Sequence, residues 1–199
     1  MNKHRPVHVL AWACRSWERR VNAEVGLVRA RRRRGCVTFR PVTTARWGDG
    51  LPRVPVSVGA LVWDRRGRLL VLDPTYKAGW TLPGGQVEDD GETPWEACLR
   101  ETREECALRL SSGRLVCVDF LRPRPGRPGG LRLLFDCGQV EDEALAGIVL
   151  QPEEIAESRL VPVQEALRLL SGPVRRRVAA ATKPGSKRVR YLEDGRPVR

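Results

Sequence analysis

This 199-residue chain predicts an α/β domain, in which a mixed β-sheet packs against helices, and three observations point to it. Aliphatic and β-branched runs with strand-like patterning recur between Val54 and Val140. A helix with a clear start signal, at Thr93-Pro94, interrupts them. Helical patterning then returns near the C-terminal end, and strands on both sides of one helix followed by another helix call for a sheet covered by helices. At 41% apolar and 30% charged, the composition is that of one globular domain, with appendages.

The first pair of strands lies in "VPVSVGALVWDRRGRLLVLD", Val54 to Asp73, with a turn at Arg65-Arg66-Gly67 where glycine takes positive φ. The first helix spans Pro94 to Leu108. Thr93 stands at its N-cap with Glu96 three residues on, the capping-box spacing, and Pro94 sits where a missing N–H costs nothing. "LVCVDFL", Leu115 to Leu121, and "LRLLFDCGQV", Leu131 to Val140, are two further strands. The loop "RPRPGRPGG" between them cannot supply ladder bonds. Val163 to Leu170 and Pro173 to Ala181 are the later helices.

Charge divides the chain into three. Residues 1–53 carry 13 basic against 3 acidic residues, 54–171 carry 14 against 19, and 172–199 carry 9 against 2. We therefore expect a basic, flexible arm at 1–53, a folded domain at 54–171 and a basic extension at 172–199. Only four of the 36 basic residues are lysine, a bias toward arginine that argues against a patch built for nucleic acid. The six cysteines show no metal-ligand spacing, and several lie in apolar runs, as free thiols in a reducing compartment do. "VHVLAWAC" is too short to span a membrane, so a cytoplasmic protein is expected.

The acidic centre concentrates its charge on one helix. Glu101, Glu104 and Glu105 stand at i, i+3 and i+4, so their carboxylates share a stripe and repel by a few tenths of a kcal/mol per pair. A divalent cation would offset that repulsion, and Mg²⁺ held by carboxylates commonly shares them with substrate phosphates. Arg100 can pair with Glu96 or Glu104, or reach back to Glu92. Gly84-Gly85, just upstream, lets backbone and a carbonyl approach a ligand.

"GGQVEDDGETPWEACLRETREECAL" resembles the signature of the Nudix hydrolases, G-x5-E-x7-R-E-U-x-E-E-x-G-U with U aliphatic. Glu92, Arg100-Glu101, Glu104-Glu105 and Leu108 fall in place. Six residues rather than five separate Gly85 from Glu92, Thr102 replaces the aliphatic residue and Ala107 replaces the final glycine. The flanking segments from Val56 and from Leu150 are similar to the family's opening strands and closing strand and helix.

The resemblance implies a Nudix-type mixed sheet sandwiched between helices over residues 54–171, with both basic ends outside it. It implies hydrolysis of a nucleoside diphosphate linked to X (ADP-ribose, an NDP-sugar or a (d)NTP) with Mg²⁺ or Mn²⁺. By the same resemblance Glu101, Glu104 and Glu105 hold the metal with Gly84, while Glu92 and Arg100 clamp loop to helix. The general base is one of the three glutamates or a distal one, Glu153, Glu154 or Glu141. Trp63, Trp80, Phe120 and Tyr76 are candidates to stack a base. An alternative is a nucleotide-sensing or RNA-binding module on the same fold that acts on RNA 5′ ends, its arginine-rich ends supplying the affinity. A homodimer is left open.

Overall fold

The computed structural model describes residues 53–185 and 188–198. The basic segment 1–52, with Cys14 and Cys36, lies outside the described residues. In chain order the elements are β1 (Val56–Trp63), β2 (Leu69–Pro74), α1 (Pro94–Cys106), β3 (Arg114–Leu121), β4 (Gly130–Gln139) and α2 (Asp142–Ala146). They continue with β5 (Ile155–Val161), α3 (Val163–Leu169), α4 (Gly172–Ala181), β6 (Arg190–Glu193) and β7 (Arg196–Pro197). The strands form one mixed sheet in the order β5-β2-β1-β4-β3-β6-β7, with β1 parallel to β4 and β3 parallel to β6.

The two-residue period of the strands sorts side chains to opposite faces. Val58, Ala60 and Val62 of β1 join Leu72, Phe135, Ala97, Cys98 and Cys106 in a core with α1 and α2. Leu61, Leu69, Val71 and Leu134 point the other way, onto Ala166 of α3 and Val178 of α4. Helices thus cover both faces, as the α/β expectation required. Cys98, Cys106, Cys117 and Cys137 are buried free thiols.

The turn at Arg65-Arg66-Gly67 is pinned by Asp64, which is 1% exposed and accepts from the Arg66 and Arg68 amides and from Arg68 Nε. Beyond that turn the hairpin opens. β1 and β2 share a register pair only at Trp63 and Leu69, and the N-terminal half of β1 instead pairs with the loop leading to α1. Ala60 and Val58 donate to the carbonyls of Pro83 and Gly85, at 2.8 and 2.9 Å, and Val87 donates to Val56. This wedge sets the glycine loop against the sheet and opposite α1.

One expectation is corrected. Residues 172–199, expected as a basic extension outside the sheet domain, join it: α4 packs on the sheet and β6 adds to β3 in register from Cys117–Arg190 to Phe120–Glu193. Asp119 of β3 explains why: fully buried, it accepts from Arg177 Nε of α4 and from the Gly195 amide, both at 2.8 Å. A buried carboxylate needs such partners, and the basic segment supplies them. Among the described residues no helix is long and apolar enough to cross a membrane.

Candidate active site

α1 begins where the capping box places it. Thr93 Oγ1 accepts from the Glu96 amide at 3.3 Å, and Glu96 accepts from the Thr93 amide at 2.8 Å. Ala97, Cys98, Thr102 and Cys106 face the core, and Thr102 satisfies its hydroxyl on the Cys98 carbonyl at 2.8 Å. The helix stops two residues before Leu108 because Ala107 turns left-handed, at φ 55°. That is the position where the resemblance expects glycine, which adopts this conformation without Cβ strain.

Arg100 gathers the acids around α1. Its Nε and Nη2 reach the two oxygens of Glu92 at 2.8 and 3.1 Å, Nη2 also donates to the Gln86 carbonyl at 2.9 Å, and Nη1 lies 3.0 Å from both Glu101 and Glu104. The Glu92 fork holds that carboxyl below the usual glutamate range, helped by the Glu88 amide. The extra loop residue leaves this clamp intact, and within the loop Gly91 takes φ +98°.

Glu105 is in a different environment. It is 3% exposed, accepts from the Gly84 amide at 2.7 Å and makes no ion pair with the described residues. Burial pushes its carboxyl up to about 7; the Gly84 hydrogen bond and Lys77 pull it down, and the charges of Glu101 and Glu154 raise it further. Burial also raises Glu101, against the pull of Arg100. Packing requires the first of the two glycines, and the second leaves room for an acidic side chain. A Cβ on Gly84 would collide with the Val58 carbonyl, and one on Gly85 with the Glu101 carboxylate.

These groups line a cavity of 480 Å³ that brings together Gly84, Gly85, Gln86, Arg100, Glu101, Glu104 and Glu105 with Tyr76, Gln151 and Glu154. Of the distal acids, Glu154 lines it. Glu141 does not; it pairs with Arg65 beside the β1–β2 turn. Glu153 contributes its carbonyl to Thr75. Tyr76, 63% exposed, is the aromatic at the rim, with Lys77 Nζ 3.2 Å from its hydroxyl. Trp63 binds Asp136 and Trp80 stacks under Arg159, so both serve the fold. Gln151 and Lys77 escaped the sequence reading, and only their place in the loops flanking β2 and β5 hints at them.

Among the described residues no three acidic, histidine or cysteine side chains already surround one point, because Arg100 draws Glu101 and Glu104 toward itself. The donor set still suits a hard divalent cation. It consists of carboxylate oxygens, and the carboxylate of Glu105 is buried without an ion-pair partner among the described residues.

Known proteins share the family and the fold of this chain. The NUDIX domain family matches residues 53–182. A MutT-like protein of Streptomyces ambofaciens is 37% identical over 125 residues, 60% of this chain and 77% of that protein. Among solved structures, the MutT protein of Methanosarcina mazei Go1 superposes with a TM-score of 0.57 at 24% identity, covering 67% of this chain and 96% of that one. The NUDIX domain of Shewanella oneidensis NrtR, crystallised with ADP ribose, also gives 0.57 at 15% identity, covering 69% and 92%. Family match, fold and the arrangement of the acidic helix lead to one conclusion: the chain belongs to the Nudix family and is a hydrolase acting on phosphoric anhydride bonds.

Proposed function

We propose that this chain is a metal-dependent pyrophosphohydrolase that cleaves the diphosphate linkage of a nucleoside diphosphate joined to a further group, such as ADP-ribose, an NDP-sugar or a (d)NTP. The observation that carries this reading is Glu105, a buried carboxylate with one backbone donor and no ion-pair partner among the described residues. Leaving an ionised group in that state costs free energy that a bound cation returns. Glu101, Glu104 and Glu105 would hold Mg²⁺ or Mn²⁺, with the Gly84 carbonyl beside them. Bound there, the ion supplies charge to offset the diphosphate and to acidify the attacking water.

The chain's own residues do the rest. Arg100 fixes the loop through Glu92 and the Gln86 carbonyl, and positions the heads of Glu101 and Glu104. Gly84 and Gly85 keep the opposing wall free of side chains, so a diphosphate can lie between loop and helix. Glu154 lines the same cavity, which supports it as the acceptor of the water's proton. Tyr76 at the rim offers a ring face to a base or sugar. The ADP ribose bound by the Shewanella domain is a ligand of the class proposed here.

The test is a phosphate-release screen of ADP-ribose, NDP-sugars and (d)NTPs with Mg²⁺ and with Mn²⁺, run on wild type beside Glu104→Gln and Glu105→Gln. Either change is expected to lower turnover by about a hundredfold or more, since each removes a charge that the ion requires. Near-normal turnover in both variants refutes the ligand assignment.

A further inference from the structure

The β3–β4 loop gathers a second concentration of like charge. Arg122, Arg124, Arg127, Arg132 and Arg176 line a cavity of 340 Å³, together with the single carboxylate of Asp194. None of its lining residues belongs to the cavity that holds Glu101 and Glu105. It opens on the α4 side of the sheet: Arg132 is in register with Asp119 of β3, whose carboxylate meets Arg177 of α4.

Backbone pairing and two acids arrange part of this group, and three of its arginines form no salt bridge among the described residues. The Arg124 and Arg127 backbones exchange two hydrogen bonds, at 2.9 and 2.8 Å, across a Pro125-Gly126 turn. Two like charges are thereby set directly opposite each other, an arrangement that destabilises a hairpin. Two acids neutralise part of the group: Asp194 reaches Arg122 at 3.5 Å and Arg124 at 3.2 Å, and Glu193 also pairs with Arg122. Arg132 is half-buried, and every acceptor it finds is a backbone carbonyl, those of Pro55, Leu131 and Gly129 at 3.3, 3.0 and 3.4 Å. Arg127, Arg132 and Arg176 form no ion pair with the described residues. Burial and the charge of Arg177 make the Arg132 cation harder to keep, against the pull of Asp119.

We propose that this pocket is a second, metal-independent site for a phosphate-type oxyanion, separate from the catalytic cavity. Planar guanidinium groups bind such oxygens two at a time, and several converging forks select for a multiply charged group over chloride or a single carboxylate. At about 30 Å³ per water the space equals about ten waters, enough for a diphosphate. The ligand chemistry is an inorganic di- or polyphosphate, or the distal phosphate of a nucleotide.

The experiment is calorimetric titration of inorganic pyrophosphate into the full chain in EDTA, so that no divalent ion supports binding at the acidic helix. Ionic strength is matched with chloride. Wild type is expected to bind. Arg127→Gln/Arg176→Gln, two exposed positions, is expected to weaken binding at least about tenfold with an unchanged melting temperature. Arg132→Lys, which keeps the charge and loses the fork, is also expected to bind more weakly. Glu101→Gln is expected to bind as wild type does. Absence of binding above the matched blank, full binding by the double variant, or loss of binding in Glu101→Gln overturns the proposal. Hydrolysis then separates the two sources. If the double variant loses pyrophosphate binding at unchanged KM, the site takes a free phosphate; if KM rises with it, the site takes the substrate's own distal phosphate.

Discussion

Replacing Glu105 with glutamine should make the metal-free protein more stable at neutral pH while abolishing its activity. The folded-state carboxyl sits at about 7, against an ordinary glutamate value of 4.5, and burial is the largest cause. Between those two values the native chain keeps a proton that the unfolded chain has released, so stability falls as pH rises. Below the lower value both states are protonated and the effect is absent. Above the higher one it is complete, and at about 1.36 kcal/mol per unit it amounts to about 3 kcal/mol. Relaxation around the ionised group reduces this, so a gain of about 1–3 kcal/mol is expected for Glu105→Gln at pH 8 and almost none at pH 4.5. The glutamine carbonyl still accepts from the Gly84 amide, so the comparison isolates charge. Glu101, Glu154 and Lys77 face the same carboxyl and remain in both proteins. Urea unfolding in EDTA at a series of pH values reads the effect directly. Parallel pH profiles for the two proteins, or a less stable variant at pH 8, would refute the reasoning.

Three further outcomes follow from other parts of the structure. Ala107→Gly should stabilise the fold by about 0.5–1 kcal/mol, because the left-handed strain removed exceeds the added freedom of the unfolded chain; a lower melting temperature would contradict it. Asp119→Ala should cost about 3–5 kcal/mol in chemical unfolding, since it strands the Arg177 cation in the core and unpairs the Gly195 amide; a loss below about 1 kcal/mol would show that the pair is unimportant. Arg100→Lys should lower kcat by about tenfold with the helix content intact, because an ammonium cannot span both oxygens of Glu92 and the Gln86 carbonyl together; unchanged turnover would remove Arg100 from the positioning role.

The parts of the fold legible in sequence were those specified by local chemistry. Thr93, Pro94 and Glu96 announced the start of α1 to the residue, and Gly67 announced the turn. The Arg100–Glu92 tie was also readable, since a specific spacing carries it. Features set by distant partners were not readable. The hairpin's opening depends on backbone pairing between β1 and residues 83–87, which leaves no side-chain pattern. "RYLE" at β6 reads as part of a basic tail because its partner strand lies far upstream, and the one clue was Asp119, a carboxylate inside an otherwise apolar strand. The resemblance pointed to Glu101, Glu104 and Glu105, but their unequal surroundings, one buried and two drawn to Arg100, emerge only in three dimensions.

The placement of β1 also governs how the chain must assemble. Its turn to β2 closes over a handful of residues and can form in microseconds. Its parallel partner begins at Leu131, opposite Val56, beyond the whole of α1 and β3. That closure is slow, so the topology predicts refolding on the millisecond-to-second scale, with the acidic helix laid down before the sheet beneath it is complete.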